Sequence, residues 1–169
     1  MARASAEWAG APSVWQGPGC PLKFVPCLKS ADHLVAIGFR NWMAGYHTGN
    51  IEHWEETAHH YEDRLGSLRS VETVKALATW VRCINAATRR DIEVFPPTCT
   101  SFCRDECLAV AMVAASQHQI DVAARSSAEV LTAGGYVDEV LESAECFAAI
   151  LRMMGQTLSA GMLARYCPN

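Results

Sequence analysis

The sequence predicts an all-α protein, a single compact bundle of six to seven helices over residues 30–169, preceded by an irregular Pro-rich N-terminal arm at residues 1–29. Three observations carry this. Apolar residues recur at three- and four-residue spacing through nearly every segment after Ser30, and no stretch alternates apolar and polar residues for long enough to build a sheet. At 169 residues, half of them hydrophobic, the chain can bury a core without the help of disulfides or a metal. No segment repeats at a fixed period, which favours one bundle over a helical solenoid.

In the arm, Pro12, Pro18, Pro21 and Pro26 interrupt regular structure, while Trp8, Trp15 and Phe24 offer aromatic groups to dock it on the body. The first helix starts from Ser30 as N-cap and places Val35, Phe39, Trp42 and Tyr46 on one face before ending at His47 to Gly49. Gly38 and Gly45, seven residues apart, allow a second helix to approach closely. Asn50 then caps a helix with Ile51, Trp54, Ala58, Tyr61 and Leu65 inward and Gly66 as its left-handed end.

Ser70 begins the next helix, with Val74, Leu77, Ala78, Val81 and Ile84 inward, and residues 92–95 are extended before Pro96-Pro97. Residues 98–118 read as a core helix rich in small residues, and 120–133 as its hairpin partner, closed by Gly134-Gly135. Residues 137–154 form a further helix and residues 158–166 a short terminal one.

Charge and composition exclude several functions. A net charge of −4 with scattered basic residues gives no attraction to a phosphate backbone, so nucleic-acid binding is not expected. The apolar run from Cys107 to Ala115 is too short for a membrane span of about 20 residues. Arg3, Glu7 and several Pro and Gly break up the first twenty residues, so they do not read as an export signal, and the expectation is a cytoplasmic protein whose eight cysteines are reduced.

Four constellations stand out. Cys99, Cys103 and Cys107 are spaced to form one helical stripe, which suits either a close-packed core or a soft Zn or Cu ion, with Cys83 or Cys146 as a further ligand. The core reading is the default and assigns no cofactor. Glu56, His59 and His60 lie within a His- and Glu-rich helix, read first as a solvated face and alternatively as a metal-binding face, chiefly against a partner surface. By the phase of the apolar stripe, His53, Glu56 and His60 point away from the core, while Glu55 and Glu62 border it.

Arg82, Arg89 and Arg90, with Arg104, flank Phe95-Pro96-Pro97 and would form an anion site with the N-terminus of the Cys99 helix. Five tryptophans, two of them in the arm, leave aromatic surface for a protein partner or for self-association. No catalytic motif is present. The functional expectation is therefore a non-enzymatic protein working through protein–protein interaction, in a regulatory or accessory role. The alternatives are a metal or thiol-redox module at Cys99/Cys103/Cys107, or a bundle enzyme pairing Glu55, Glu62 or Glu106 with a histidine.

Overall fold

A computed structural model describes residues 30–162. Readings that fall on residues 1–29, including the arm's prolines, aromatics, Cys20 and Cys27, lie outside the described residues, as do residues 163–169. The protein is all-α: six helices, α1 (Ser30–Thr48), α2 (Glu52–Leu65), α3 (Ser67–Ala87), α4 (Arg104–Gln117), α5 (Asp121–Thr132) and α6 (Val137–Met153), are followed by a 3₁₀ turn at Ala160–Met162. No strand occurs among the described residues.

α4 is the axis of the molecule. Every residue from Asp105 to Ala115 is buried, and α1, α5 and α6 pack around it. A helix with Ala109, Ala111, Ala114 and Ala115 distributed around its circumference can be approached from all sides, and one that is apolar all round must be enclosed. A single apolar cluster runs through all six helices, with Phe39, Trp80 and Phe147 at its centre. Trp80 lies 5.7 Å from Phe39 and stacks on Phe147 at 5.3 Å, tying α1, α3 and α6 together.

α1 and α2 form an antiparallel hairpin, fastened where aromatic side chains of α2 lie on the glycines of α1. Tyr61 donates its hydroxyl to Leu34 O at 3.1 Å beside Gly38, and Trp54 donates Nε1–H to Trp42 O at 3.1 Å across Gly45. A Cβ at either glycine would collide with these rings. This seating corrects the phase expected for α2. Its buried residues are Thr57 and Tyr61, so the helix is rotated by somewhat less than one residue from the Ile51, Ala58 stripe, and both of those side chains are exposed.

The start of α4 is the second correction. The helix begins at Arg104, not at residue 98, and residues 88–103 are irregular. Three interactions keep the helix from starting earlier. Cys99 N–H turns back to Pro96 O, Arg40 takes the carbonyls of Cys99 and Ser101, and Cys103 N–H goes to the Glu106 carboxylate at 2.6 Å. The donors and acceptors that a further helical turn needs are thus committed elsewhere. The 158–166 helix is represented by the 3₁₀ turn alone among the described residues.

Candidate functional site

The residues singled out from the sequence are dispersed by this arrangement. Cys99 sits in the connection, Cys103 is the N-cap of α4, and Cys107 is buried in its first turn, so the three do not share a helical stripe. Cys103 donates its thiol to Glu93 O at 3.0 Å. Burial first, and then the negative charge of Glu106, push that thiol well above its ordinary range, the opposite of what a nucleophile or redox thiol needs. No group of three His, Cys, Asp or Glu among the described residues is placed to hold a metal ion.

On α2, Glu56 and His59 are exposed, as are Glu55 and Glu62. His60 does not point away from the body: it is half-buried, 6.2 Å from the ring of His33 on α1, and His33 in turn meets Phe102 edge-on at 5.8 Å. Burial is the main cause that lowers both histidines, with Arg64 adding to each. Their proximity follows from the rotated phase of α2, which is why the sequence pattern missed it.

The arginines part company as well. Arg90 is engaged by a two-pronged ion pair, Nη1 and Nη2 each 2.7 Å from an Asp105 oxygen, and donates further to Asp91 O and Val130 O. Arg89 is exposed, its backbone N–H bonded to Thr132 O. Arg82 is exposed on α3. The N-terminal turn expected to receive an anion is α4's, and the chain's own Asp105 and Glu106 fill it.

The pair of carboxylates organises the 88–103 connection. Glu106, with no exposed surface, accepts from Arg40 Nε at 2.6 Å, Arg40 Nη2 at 3.1 Å, Phe95 N at 3.1 Å and Cys103 N at 2.6 Å. Arg40 is equally buried, stacks over Phe102 at 4.7 Å and also holds Cys99 O and Ser101 O. Asp105 accepts from Arg90 and from Glu93 N. Every Glu106 contact is internal, so this carboxylate is spent on holding structure. The sequence signal for it is Cys103-x-x-Glu106, a capping box with Cys in the Ser position; nothing local announces Arg40.

Among the described residues, an aromatic groove between α1, α2 and α3 is open to receive something from outside. Trp42 and Tyr46 of α1, Trp54 of α2 and Ala78, Thr79 and Arg82 of α3 line a shallow open cavity of about 170 Å³. Trp42 and Trp54 stack with centroids 5.8 Å apart, and Tyr46 meets Trp54 edge-on at 5.6 Å. Trp54 is fixed by its hydrogen bond to Trp42 O and by the absence of a side chain at Gly45, so the wall is rigid before anything binds. Trp42, Tyr46 and Trp54 were legible as inward-facing aromatics, but not as three sides of one groove. Compared with protein-family models, curated proteins and solved structures, the chain matches none.

Proposed function

We propose that the protein is a non-enzymatic, cytoplasmic regulatory or accessory protein that acts by protein–protein interaction, with the Trp42, Tyr46, Trp54 groove taking an anchor side chain from its partner or from a second copy of the chain. The groove carries this reading. At about 170 Å³ it falls below the roughly 300–1,000 Å³ of a small-molecule or cofactor pocket, while suiting one inserted residue. Rigid, half-buried Trp and Tyr with an arginine at the rim are the residues that dominate binding between proteins. Within the described residues no helix is long and apolar enough to cross a membrane. The cysteine and carboxylate alternatives draw no comparable support, because the Cys103 thiol and Glu106 are enclosed by their own network.

The test is a phage-displayed peptide selection on the full chain, followed by affinity measurement against wild type and a Thr79→Lys/Arg82→Glu variant altered only at exposed rim positions. Selected peptides should lose at least about tenfold in affinity for the variant, with helical content unchanged. Sedimentation of both proteins asks whether a second copy is the occupant. Peptides that bind both proteins equally, together with a monomer in both, would overturn the reading.

A further inference from the structure

One face of α3 carries both a protruding apolar side chain and the groove. At about 100° per residue, Leu68, Val71, Lys75, Ala78, Thr79 and Arg82 fall within an arc of about 100° along the helix. Near the N-terminal end, Leu68 is 93% exposed, more than any other large hydrophobic side chain described, and Val71 is 51% exposed. Near the C-terminal end, Ala78, Thr79 and Arg82 are the α3 wall of the aromatic groove. An exposed leucine alone is ordinary. One that lies in line with a cavity of about 170 Å³, walled by indole and phenol rings and sized for a single side chain, makes the face complementary to itself.

Within one molecule the two cannot meet. Leu68 is 10 to 14 residues from Ala78 and Arg82 on the same helix, about 15–21 Å at a rise of about 1.5 Å per residue. A second copy related by a two-fold axis brings them together twice, because an interface of that symmetry places the same patch on both sides. With two α3 helices antiparallel, each step forward on one is a step back on the other. The register that sets Leu68 against Thr79 therefore also sets Glu72 against Lys75, twice over. Both of these side chains are largely exposed, and they lie 3.0 Å apart within one copy. The same register sets Arg82 against Leu65, at the end of the other copy's α2, where exposed Glu62 and Asp63 outnumber Arg64. Parallel helices would set Lys75 against Lys75 and leave both grooves empty, so charge and shape select the same antiparallel arrangement. α3, 21 residues and about 31 Å long, has room for both contacts.

We propose that two copies of this chain associate through antiparallel α3 helices, the Leu68 side chain of each seated against Trp42, Tyr46 and Trp54 of the other, an inference that rests on the groove being a protein-binding site. Glu72 and Lys75 at the centre set the register, and Val71 packs beside the lysine stem. Each seated leucine gives up the water contact it has in the single chain. A groove filled in this way is closed to any other anchor, so association between copies and binding of a foreign peptide exclude one another.

The experiment is sedimentation equilibrium of the full wild-type chain over a range of concentrations, alongside Leu68→Glu, Glu72→Lys and Lys75→Glu, all changed at exposed positions. Wild type should form a dimer that dissociates on dilution. Leu68→Glu should weaken association at least about tenfold, with helical content unchanged. Glu72→Lys and Lys75→Glu should each weaken it by roughly 5- to 30-fold, because each puts like charges together at two places. Mixing these two variants should restore association by pairing every lysine with a glutamate. A wild type that stays monomeric at millimolar concentration, or a dimer indifferent to Leu68→Glu, would overturn the proposal. A mixture that associates no better than either variant alone would overturn the antiparallel register on which it is built. Peptides that lose affinity for the rim variant while the wild type is monomeric would strike the association of copies alone and leave the groove as a site for a different protein. Peptides indifferent to the rim, together with a monomeric wild type, would strike both readings.

Discussion

Replacing Glu106 by Gln is the sharpest available test of how the helix bundle is held together. The carboxylate accepts four hydrogen bonds through two oxygens: Oε1 takes Arg40 Nε and Phe95 N, and Oε2 takes Arg40 Nη2 and Cys103 N. A glutamine of the same size keeps one oxygen and puts an NH₂ group where the other stood, so two donors face a donor. Orphaning each costs about 1–3 kcal/mol. The Arg40 guanidinium, with no solvent exposure, loses the carboxylate charge it pairs with among the described residues, and breaking a buried pair in this way costs about 3–5 kcal/mol. These contributions overlap, and a net loss of about 4–6 kcal/mol is expected, a large part of the 5–15 kcal/mol that stabilises a typical domain. Urea unfolding followed by far-UV circular dichroism should show the midpoint falling by about 1.3 M or more, at a slope of roughly 1–3 kcal/mol per molar. Arg40→Met/Glu106→Gln, which removes the charge as well, should recover part of the loss, with a coupling energy of about 2 kcal/mol or more. A midpoint shift under about 0.5 M, or strictly additive losses in the double variant, would show that the pair contributes little and that the geometric argument is wrong.

Three further outcomes are expected. Gly45→Ala should dislodge Trp54 from its seat, costing about 1–3 kcal/mol and shifting tryptophan fluorescence to the red; an unchanged spectrum would mean that the groove wall is not built on Gly45. His33 and His60 face one another beside Arg40, Arg64 and Asp63, and burial, with the arginines adding to it, depresses both. The unfolded chain therefore binds protons more readily than the folded one as pH falls through about 6.5, so stability is complete above that value and declines below it. Unfolding midpoints should drop between about pH 7.5 and pH 5.5, less steeply in His60→Gln, and a flat profile counts against the arrangement. With a thiol-specific dye, exposed Cys146 should react at once, whereas Cys103 and Cys107 should react only at the rate of global unfolding; early labelling of Cys103 would contradict its enclosure.

Where the fold could be read in the sequence, punctuation made it so. Gly66 and Gly134-Gly135 end helices where expected, and α5 and α6 begin and finish within about a residue of their predicted bounds. What escaped was decided by partners distant in sequence. The first turn of the expected Cys99 helix is unmade by Arg40, 59 residues from Cys99, whose side chain claims carbonyls a helix would use. The phase of α2 follows from two rings settling on two glycines, a shape match that outweighs the hydrophobicity of Ile51 and Ala58. The groove needed three helices in register before Trp42, Tyr46, Trp54 and Arg82 became neighbours. Aromatic content hinted at a surface without locating it.

The 88–103 connection carries a consequence for how the protein opens. Irregular segments ordinarily come loose first, in small fluctuations that leave the rest of a fold in place. This one is moored by Asp105 and Glu106 to the first turn of the innermost helix, and lifting it strips Asp105 from Arg90, Glu106 from the Phe95 and Cys103 amides, and the buried Arg40 from the carbonyls of Cys99 and Ser101. No inexpensive partial opening is available. The stretch belongs to the most cooperative part of the structure, so its hydrogen-bonded amides should exchange with solvent on the timescale of the core helices, and a protease should find its Arg89 and Arg90 bonds only in molecules that have already unfolded.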